Sequence, residues 1–302
     1  MKIKEFPTAR MEAAFTRANP QIRASDINDA FADSEVQAIF TSIGGDDSIR
    51  ILPFLDKKVI AENPKILMGY SDTSTLHIFA NLQGLITFYG PSIMAGFSQM
   101  GSLPKSFKSH VREMLFEPKE SYDYKSYQEY CDGYPDWANN ENIGKVNTLK
   151  PNNGWHWLQG NGKVQGELFG GCIEVLEMMK GTDFWPTRDF WKGKIFFLET
   201  SEEKPSIQYI DHVLRNYGML NVFGQISGFI FSRARDYSDE EKKELEEKII
   251  SIISKEFGKP DLPIVANFDI GHTDPQVVLP LGVKAEIDCK NKKIKLVEPW
   301  LK

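Results

Sequence analysis

The chain has 302 residues, enough for two domains at roughly 150 residues each. Hydrophobic residues make up 41% and charged residues 26%, the composition of an ordinary globular protein with a sizeable core. Thirty-six basic against 42 acidic residues leave a net charge of −6, which excludes the basic field that nucleic acids and anionic membranes attract.

The longest apolar runs, such as residues 195–198 and 228–231, fall far short of the roughly 18 residues a membrane span needs. The opening MKIKEFPTARMEAAF has no apolar core and no small-residue cleavage site, so no secretory leader is expected. Cys131, Cys172 and Cys289 are odd in number and never paired as CxxC, which argues against a disulfide framework or zinc knuckle. Together these features predict a cytoplasmic protein.

The first stretch alternates helical and strand patterns. Ser25-Asp26 precede Ile27, Ala30 and Phe31 as a short amphipathic helix, and residues 36–40 form a buried strand running into Ile43-Gly44-Gly45. Ile66-Leu67-Met68 gives a second strand that ends at Gly69-Tyr70-Ser71-Asp72. Thr75, Leu76, Phe79, Ala80 and Leu82 then recur at helical spacing, so Ser71 sits where a strand turns sharply into a helix. Residues 86–89 form a third strand before Gly90-Pro91. This alternation predicts a parallel sheet with its loops gathered at the carboxyl ends of the strands.

Residues 106–161 break the pattern with polar, aromatic-rich sequence and are read as a long connection. A strand over 163–169, a helix over 172–179 and a strand over 194–198 ending at Glu199 follow. Pro205 opens a further helix, residues 225–231 form another strand, and Ser238 with Glu241 makes a capping box for the next helix. Residues 263–266 lead as a strand into Asn267-Phe268-Asp269-Ile270-Gly271-His272. Two strands flanking Lys290-Asn291 predict a hairpin.

Gly69-Tyr70-Ser71-Asp72-Thr73 has the form of a nucleophile elbow, in which a serine on a tight turn projects over helix amides. Thr73 stands in place of the second glycine of that motif, and Ser71 or Asp72 also suits a simple helix cap. A serine nucleophile needs a base, and the chain has five histidines. His77 lies on the helix after Ser71, His212 on a solvated helix face, and His110 and His156 in irregular sequence. His272 follows a strand at a glycine turn, where catalytic groups are commonly presented. Hydrogen bonding to Asp269 or Asp274 is its structural alternative.

For the orienting carboxylate, Glu199 stands out because it ends an apolar strand, with Glu202, Glu203, Asp269 and Asp274 as competitors that spacing does not separate. Gly44-Gly45 suits a close backbone approach or a plain turn, and no phosphate-loop motif follows it. Gly170-Gly171 suits close strand-to-helix packing. Trp137, Trp155 and Trp157 suit either a ligand wall or anchors for the long connection. No metal-ligand spacing includes any histidine, so neither metal nor cofactor is expected.

Taken in order, Ile43-Gly44-Gly45-Asp46, the segment 64–73, Phe88-Tyr89-Gly90-Pro91, Pro151-Asn152-Asn153, Gly170-Gly171, Phe197-Leu198-Glu199, the segment 267–275 and Leu279-Pro280-Leu281-Gly282 resemble the LD-carboxypeptidase family of serine peptidases, in its branch similar to the microcin C self-immunity peptidases. The resemblance implies a Rossmann-like parallel-sheet N-terminal domain over residues 1–105, a connecting segment over 106–162 and a mainly β C-terminal domain over 163–302. It implies a catalytic triad of Ser71, His272 and Glu199, oxyanion donors at Gly45 and Asp72, and substrate contacts at Gly44 and Trp155. A homodimer is implied, acting on a small peptide such as a murein L,D-peptide or on an aminoacyl-nucleotide.

Two departures carry expectations of their own. Family members begin with a strand, a Pro-Ser turn and a helix that this sequence lacks, so a sheet short of its first βα unit is expected, and a non-catalytic binding or assembly role is the alternative function. Cys172 stands where many relatives carry Asn.

Overall fold

The computed structural model describes residues 2–301. Its first sheet has three parallel strands in the order Ala38–Phe40, Ile66–Gly69, Thr87–Tyr89, as the alternating pattern predicts. A fourth strand, Leu279–Leu281, closes one edge by pairing antiparallel with Thr87–Tyr89. Pro280 lies on that edge strand, the place in a sheet where a residue without an N–H is tolerated.

The second sheet has eight strands in the order Tyr122–Asp123, Lys293–Leu296, Lys284–Asp288, Lys163–Cys172, Ile195–Glu199, Gly228–Ser232, Ile264–Phe268, His156–Gln159. Lys163–Cys172 bridges its two parts. Its first half pairs antiparallel with Lys284–Asp288, and its second half pairs parallel with Ile195–Glu199. The four strands from Lys163–Cys172 to Ile264–Phe268 are parallel and are linked through helices Ile173–Met179, Ile207–Met219 and Asp239–Ile250. The sheet thus dominates the C-terminal half, with helical crossovers packed on one face.

Alternation along the parallel strands sorts their side chains into two cores. Phe196, Leu198, Phe229, Phe231 and Ile264 pack with Ile210, Leu214 and Ile249 of the crossover helices. Ile195, Phe197, Ile230 and Val265 face the opposite way, into a core with Tyr89, Phe107 and Leu279. Strands buried on both faces read as continuous apolar runs, which is why 195–198 lacks a polar alternate.

Several boundaries differ from expectation for identifiable reasons. The helix expected to begin after Ser25-Asp26 begins at Pro20 and runs to Ala32, with proline at its first position. Asp26 does not cap it, and its carboxylate accepts from the Thr8 amide and hydroxyl at 2.7 and 2.6 Å. The stretch read as an irregular connection contains helix Lys105–Phe116, whose Phe107, His110, Val111, Met114 and Leu115 form a buried stripe at helical spacing. Strand Lys163–Cys172 runs through both glycines, so the following helix begins at Ile173. The Ser238–Glu241 capping box is present with both reciprocal bonds. In the hairpin, Asp288 accepts from the Asn291 amide and side chain at 3.0 and 2.8 Å.

No helix among the described residues is long and apolar enough to cross a membrane.

Phe196 is fully buried, with the rings of Trp191, Tyr217 and Phe229 centred 5.0, 5.0 and 5.8 Å away. Phe196→Ala should therefore lower unfolding free energy by about 3–5 kcal/mol in a urea titration. A loss below about 1 kcal/mol would contradict this packing.

Candidate active site

Strand Ile66–Gly69 delivers the chain through Tyr70 into a one-turn 3₁₀ helix, Ser71–Thr73, and then helix Ser74–Leu82. Ser71 has a φ of 61°, a left-handed conformation that costs a non-glycine residue energy and persists only where the surroundings enforce it. Ser74 Oγ donates to the Ser71 carbonyl at 2.7 Å and accepts from the Cys172 amide at 3.0 Å, tying the turn to the second sheet. The close approach explains Gly171, because a Cβ there would lie 2.6 Å from Ser74 Oγ. Gly44 is also closely packed, since a Cβ on it would lie 2.9 Å from both Cβ and Oγ of Ser71.

Asp72 holds the Gly44-Gly45 turn in place. Its carboxylate accepts from the amides of Asp47 and Ser48 at 3.1 and 2.9 Å, and its carbonyl accepts from Ser48 Oγ at 2.7 Å. Burial raises its carboxyl above the ordinary range while these bonds pull the other way. The backbone amides of Gly45 and Asp72 have no acceptor among the described residues.

Glu199 is the last residue of its strand and has no exposed surface. Its Oε2 accepts from His272 Nδ1 at 2.7 Å and its Oε1 from the Tyr89 hydroxyl at 2.5 Å. Tyr89 in turn accepts from the Ser71 amide at 3.2 Å, so one phenol spans nucleophile turn and carboxylate. A carboxylate only accepts, which puts a proton on Nδ1 and turns Nε2 toward Ser71 Oγ, 3.1 Å away. Gly271, at a φ of 84°, lies over Glu199, and a Cβ there would come within 2.3 Å of Oε2.

The loop carrying His272 is fixed from below. Arg233, fully buried, donates to Asp269 Oδ1 at 2.5 Å, to Asn267 Oδ1 at 3.1 Å and to Thr273 Oγ1 at 3.3 Å. A second carboxylate reaches the imidazole from the turn after Glu199, with Glu202 Oε2 2.9 Å from Nε2. Burial alone disfavours the imidazolium, but Glu199 and Glu202 outweigh it and push the His272 pKa up to about 10. The bond to His272 draws Glu202 down to about 2.

The competing carboxylates separate cleanly. Glu199 takes Nδ1 and Glu202 takes Nε2. Glu203 is exposed, Asp269 is committed to Arg233, and Asp274 accepts from the Tyr134 hydroxyl. Burial pushes Asp274 up to about 6, and its Oδ1 has no hydrogen-bond partner among the described residues.

The remaining histidines are occupied elsewhere or exposed. His77 Nε2 donates to the Gly69 carbonyl at 2.9 Å, and burial pushes its pKa down to about 4. His110 accepts from the Val278 amide at 2.8 Å, and burial takes it down to about 3. His156 pairs with Glu246 at 2.6 Å, and His212 is exposed. Trp155 donates to Asp269 Oδ2 at 2.7 Å and packs on Phe268 with ring centres 4.5 Å apart, so it borders the His272 loop. Cys172 is buried, its thiol pushed up by that burial, with Sγ 3.2 Å from Glu174 Oε2.

Tyr89 and the Glu202 contact escaped the sequence reading. A hydroxyl at the end of strand Thr87–Tyr89 was the only available signal for the first.

The chain matches models of the LD-carboxypeptidase N-terminal domain over residues 1–90 and of the LD-carboxypeptidase C-terminal domain over residues 165–287. The microcin C7 self-immunity protein MccF of Escherichia coli is 31% identical over 284 residues, covering 92% of this chain and 79% of its own. A probable murein peptide carboxypeptidase of Bacillus subtilis is 27% identical over 97% of this chain and 81% of its own. The structure of MccF in complex with glutamyl sulfamoyl guanosine superposes with a TM-score of 0.80 at 29% identity, covering 94% of this chain and 82% of that one.

Gly271→Ala is expected to force Glu199 off His272 Nδ1 and to cost about 1–3 kcal/mol of stability through its left-handed backbone. Denaturant unfolding and the downfield Nδ1 proton resonance check this together, and an unchanged resonance at unchanged stability would contradict the geometry.

Proposed function

The chain belongs to the LD-carboxypeptidase family, and from that premise we propose that it is a serine hydrolase in which Ser71, His272 and Glu199 act as a triad. The observation that carries the reading is the unbroken hydrogen-bonded path from Ser71 Oγ through the imidazole to a buried carboxylate, assembled at the carboxyl ends of strands from both sheets. Tying a general base to an orienting acceptor in this way is the arrangement acyl transfer requires.

Each residue has a distinct task in this mechanism. Ser71 Oγ attacks the carbonyl carbon of the scissile amide while its proton passes to His272 Nε2. The oxyanion that forms accepts hydrogen bonds from the free amides of Gly45 and Asp72, which the Asp72 carboxylate holds together by anchoring the 44–48 turn. Collapse breaks the carbon–nitrogen bond, and the departing amine takes the proton from Nε2. Water then attacks the acyl carbonyl as its proton passes to Nε2, and collapse breaks the bond to Ser71 Oγ, which takes that proton back from Nε2 as the acid product leaves. Throughout, Glu199 fixes the imidazole tautomer and balances the positive charge, while Tyr89 keeps Glu199 aligned.

For substrate, the first choice is an amide that joins an amino acid to a nucleotide-like group. It is supported by the likeness to MccF, whose structure holds glutamyl sulfamoyl guanosine. A murein L,D-peptide is the second, supported by the Bacillus subtilis relative's name. Gly44 and Trp155 are the residues we expect beside the substrate. Family likeness also supports a homodimer, with the nucleophile supplied by residues 1–105 and its partners by 163–302, and the unpaired cysteines support action in the cytoplasm.

Purified protein and Ser71→Ala should each be offered an aminoacyl sulfamoyl nucleoside and a murein L,D-tetrapeptide, with products read by mass spectrometry. Cleavage of at least one by the unmodified chain, reduced roughly 10⁴-fold or more in Ser71→Ala, is expected. Turnover of neither by folded protein would favour the non-catalytic binding role instead.

A further inference from the structure

The carboxylate of Glu202 stands in a place the mechanism needs. His272 Nε2 has one in-plane direction for hydrogen bonding, and it is shared between Ser71 Oγ at 3.1 Å and Glu202 Oε2 at 2.9 Å. With the Nδ1 proton already directed to Glu199, a neutral ring would present a lone pair at Nε2 to a carboxylate that can only accept. The observed contact therefore fits an imidazolium that donates from both nitrogens. An imidazolium has no lone pair with which to take the Ser71 proton, and the amine that leaves in acyl transfer must reach hydrogen-bond distance of the same atom.

We propose that Glu202 is a displaceable occupant of the His272 Nε2 position, which holds the empty site in an unreactive protonation state until substrate takes its place. The inference rests on the serine hydrolase reading above. Glu202 is suited to leaving. It lies on the turn between strand Ile195–Glu199 and helix Ile207–Met219, and about half of its side chain (53%) is exposed, whereas Glu199 has no exposed surface. Beyond His272, its own backbone amide and the charge of Arg235 favour its ionised form. When it withdraws, the Nε2 proton passes to water, Glu202 stays a carboxylate, and His272 is left neutral with Glu199 still on Nδ1.

The other charged and titratable groups around the ring do not duplicate this role. Tyr70, whose ring centre is 5.0 Å from that of the imidazole, is buried and neutral, with burial holding its hydroxyl well above the ordinary phenol range. Asp274 lies two residues along the same loop, accepting from Tyr134 and within the influence of Arg235. Tyr89 reaches Glu199 and not the ring nitrogens. Among the described residues Glu202 is the one anion that meets Nε2, and both it and Glu199 hold the imidazole's pKa above its ordinary value.

The test is Glu202→Gln, which keeps the shape of the side chain and removes its charge. Two readouts are taken on wild type and variant: the pKa of His272 from an NMR titration of its ring nitrogens, and the pH dependence of fluorophosphonate labelling, with Ser71→Ala as blank. The variant is expected to titrate at His272 at least about one pH unit lower, and its labelling at pH 7 should be roughly tenfold faster. An unchanged His272 pKa, or slower labelling of the variant at every pH, would overturn the proposal. Absence of labelling in wild type and variant alike would overturn the hydrolase reading, and the NMR titration still decides whether Glu202 controls the protonation of His272.

Discussion

A carboxylate with no exposed surface has to be neutralised where it lies, because leaving it unpaired in the interior costs several kcal/mol. Glu199 meets that requirement with two donors drawn from distant parts of the chain, His272 from the loop after Ile264–Phe268 and Tyr89 from an inner strand of the first sheet. Because Tyr89 also accepts from the Ser71 amide, the same charge holds the nucleophile turn, the imidazole and the two sheets in one arrangement. Gly271 and Gly44 are the places where the backbone has to come so near that no side chain fits. Satisfying one buried charge and assembling a reactive site are here the same structural problem.

The sheets are arranged to serve it. Four parallel strands of the second sheet point their carboxyl ends toward Ser71, and Gly171 lets the longest of them dock on Ser74. Strand Leu279–Leu281, only a few residues beyond His272, pairs with Thr87–Tyr89 and locks the first sheet to the second. Arg233 and Asp269, buried together, brace the intervening loop. The rigid scaffold leaves Glu202 as the half-exposed member of the group, and mobility at that one position is compatible with the fixed geometry of the rest.

Much of this was legible in the chain because the functional residues interrupt regular patterns. Ser71 breaks a strand-to-helix transition, Glu199 ends an apolar run, and His272 follows a glycine turn. Their spacing left four other carboxylates open beside Glu199, since contacts across 70 residues or more depend on how the sheets close and not on local periodicity. The same reason hid Tyr89, whose hydroxyl looks like any aromatic strand end, and Leu279–Leu281, which joins a sheet some 190 residues earlier in the chain. Helix Lys105–Phe116 was different. Its buried stripe obeys helical spacing, and the polar, aromatic sequence after it obscured the signal. The start of the helix at Pro20 is hidden because Ser25-Asp26 imitates a cap, whereas Asp26 serves to hold Thr8.

In the proposed mechanism the hydrogen-bonded path moves a proton so that Ser71 carries the acyl group. Rapid-quench intact-mass spectrometry during turnover, followed by peptide mapping, tests it most directly. A transient acyl adduct on Ser71 is expected to form in the unmodified chain and to fail to form in His272→Ala. An adduct on another residue, or turnover that persists at an undiminished rate in His272→Ala, would contradict it.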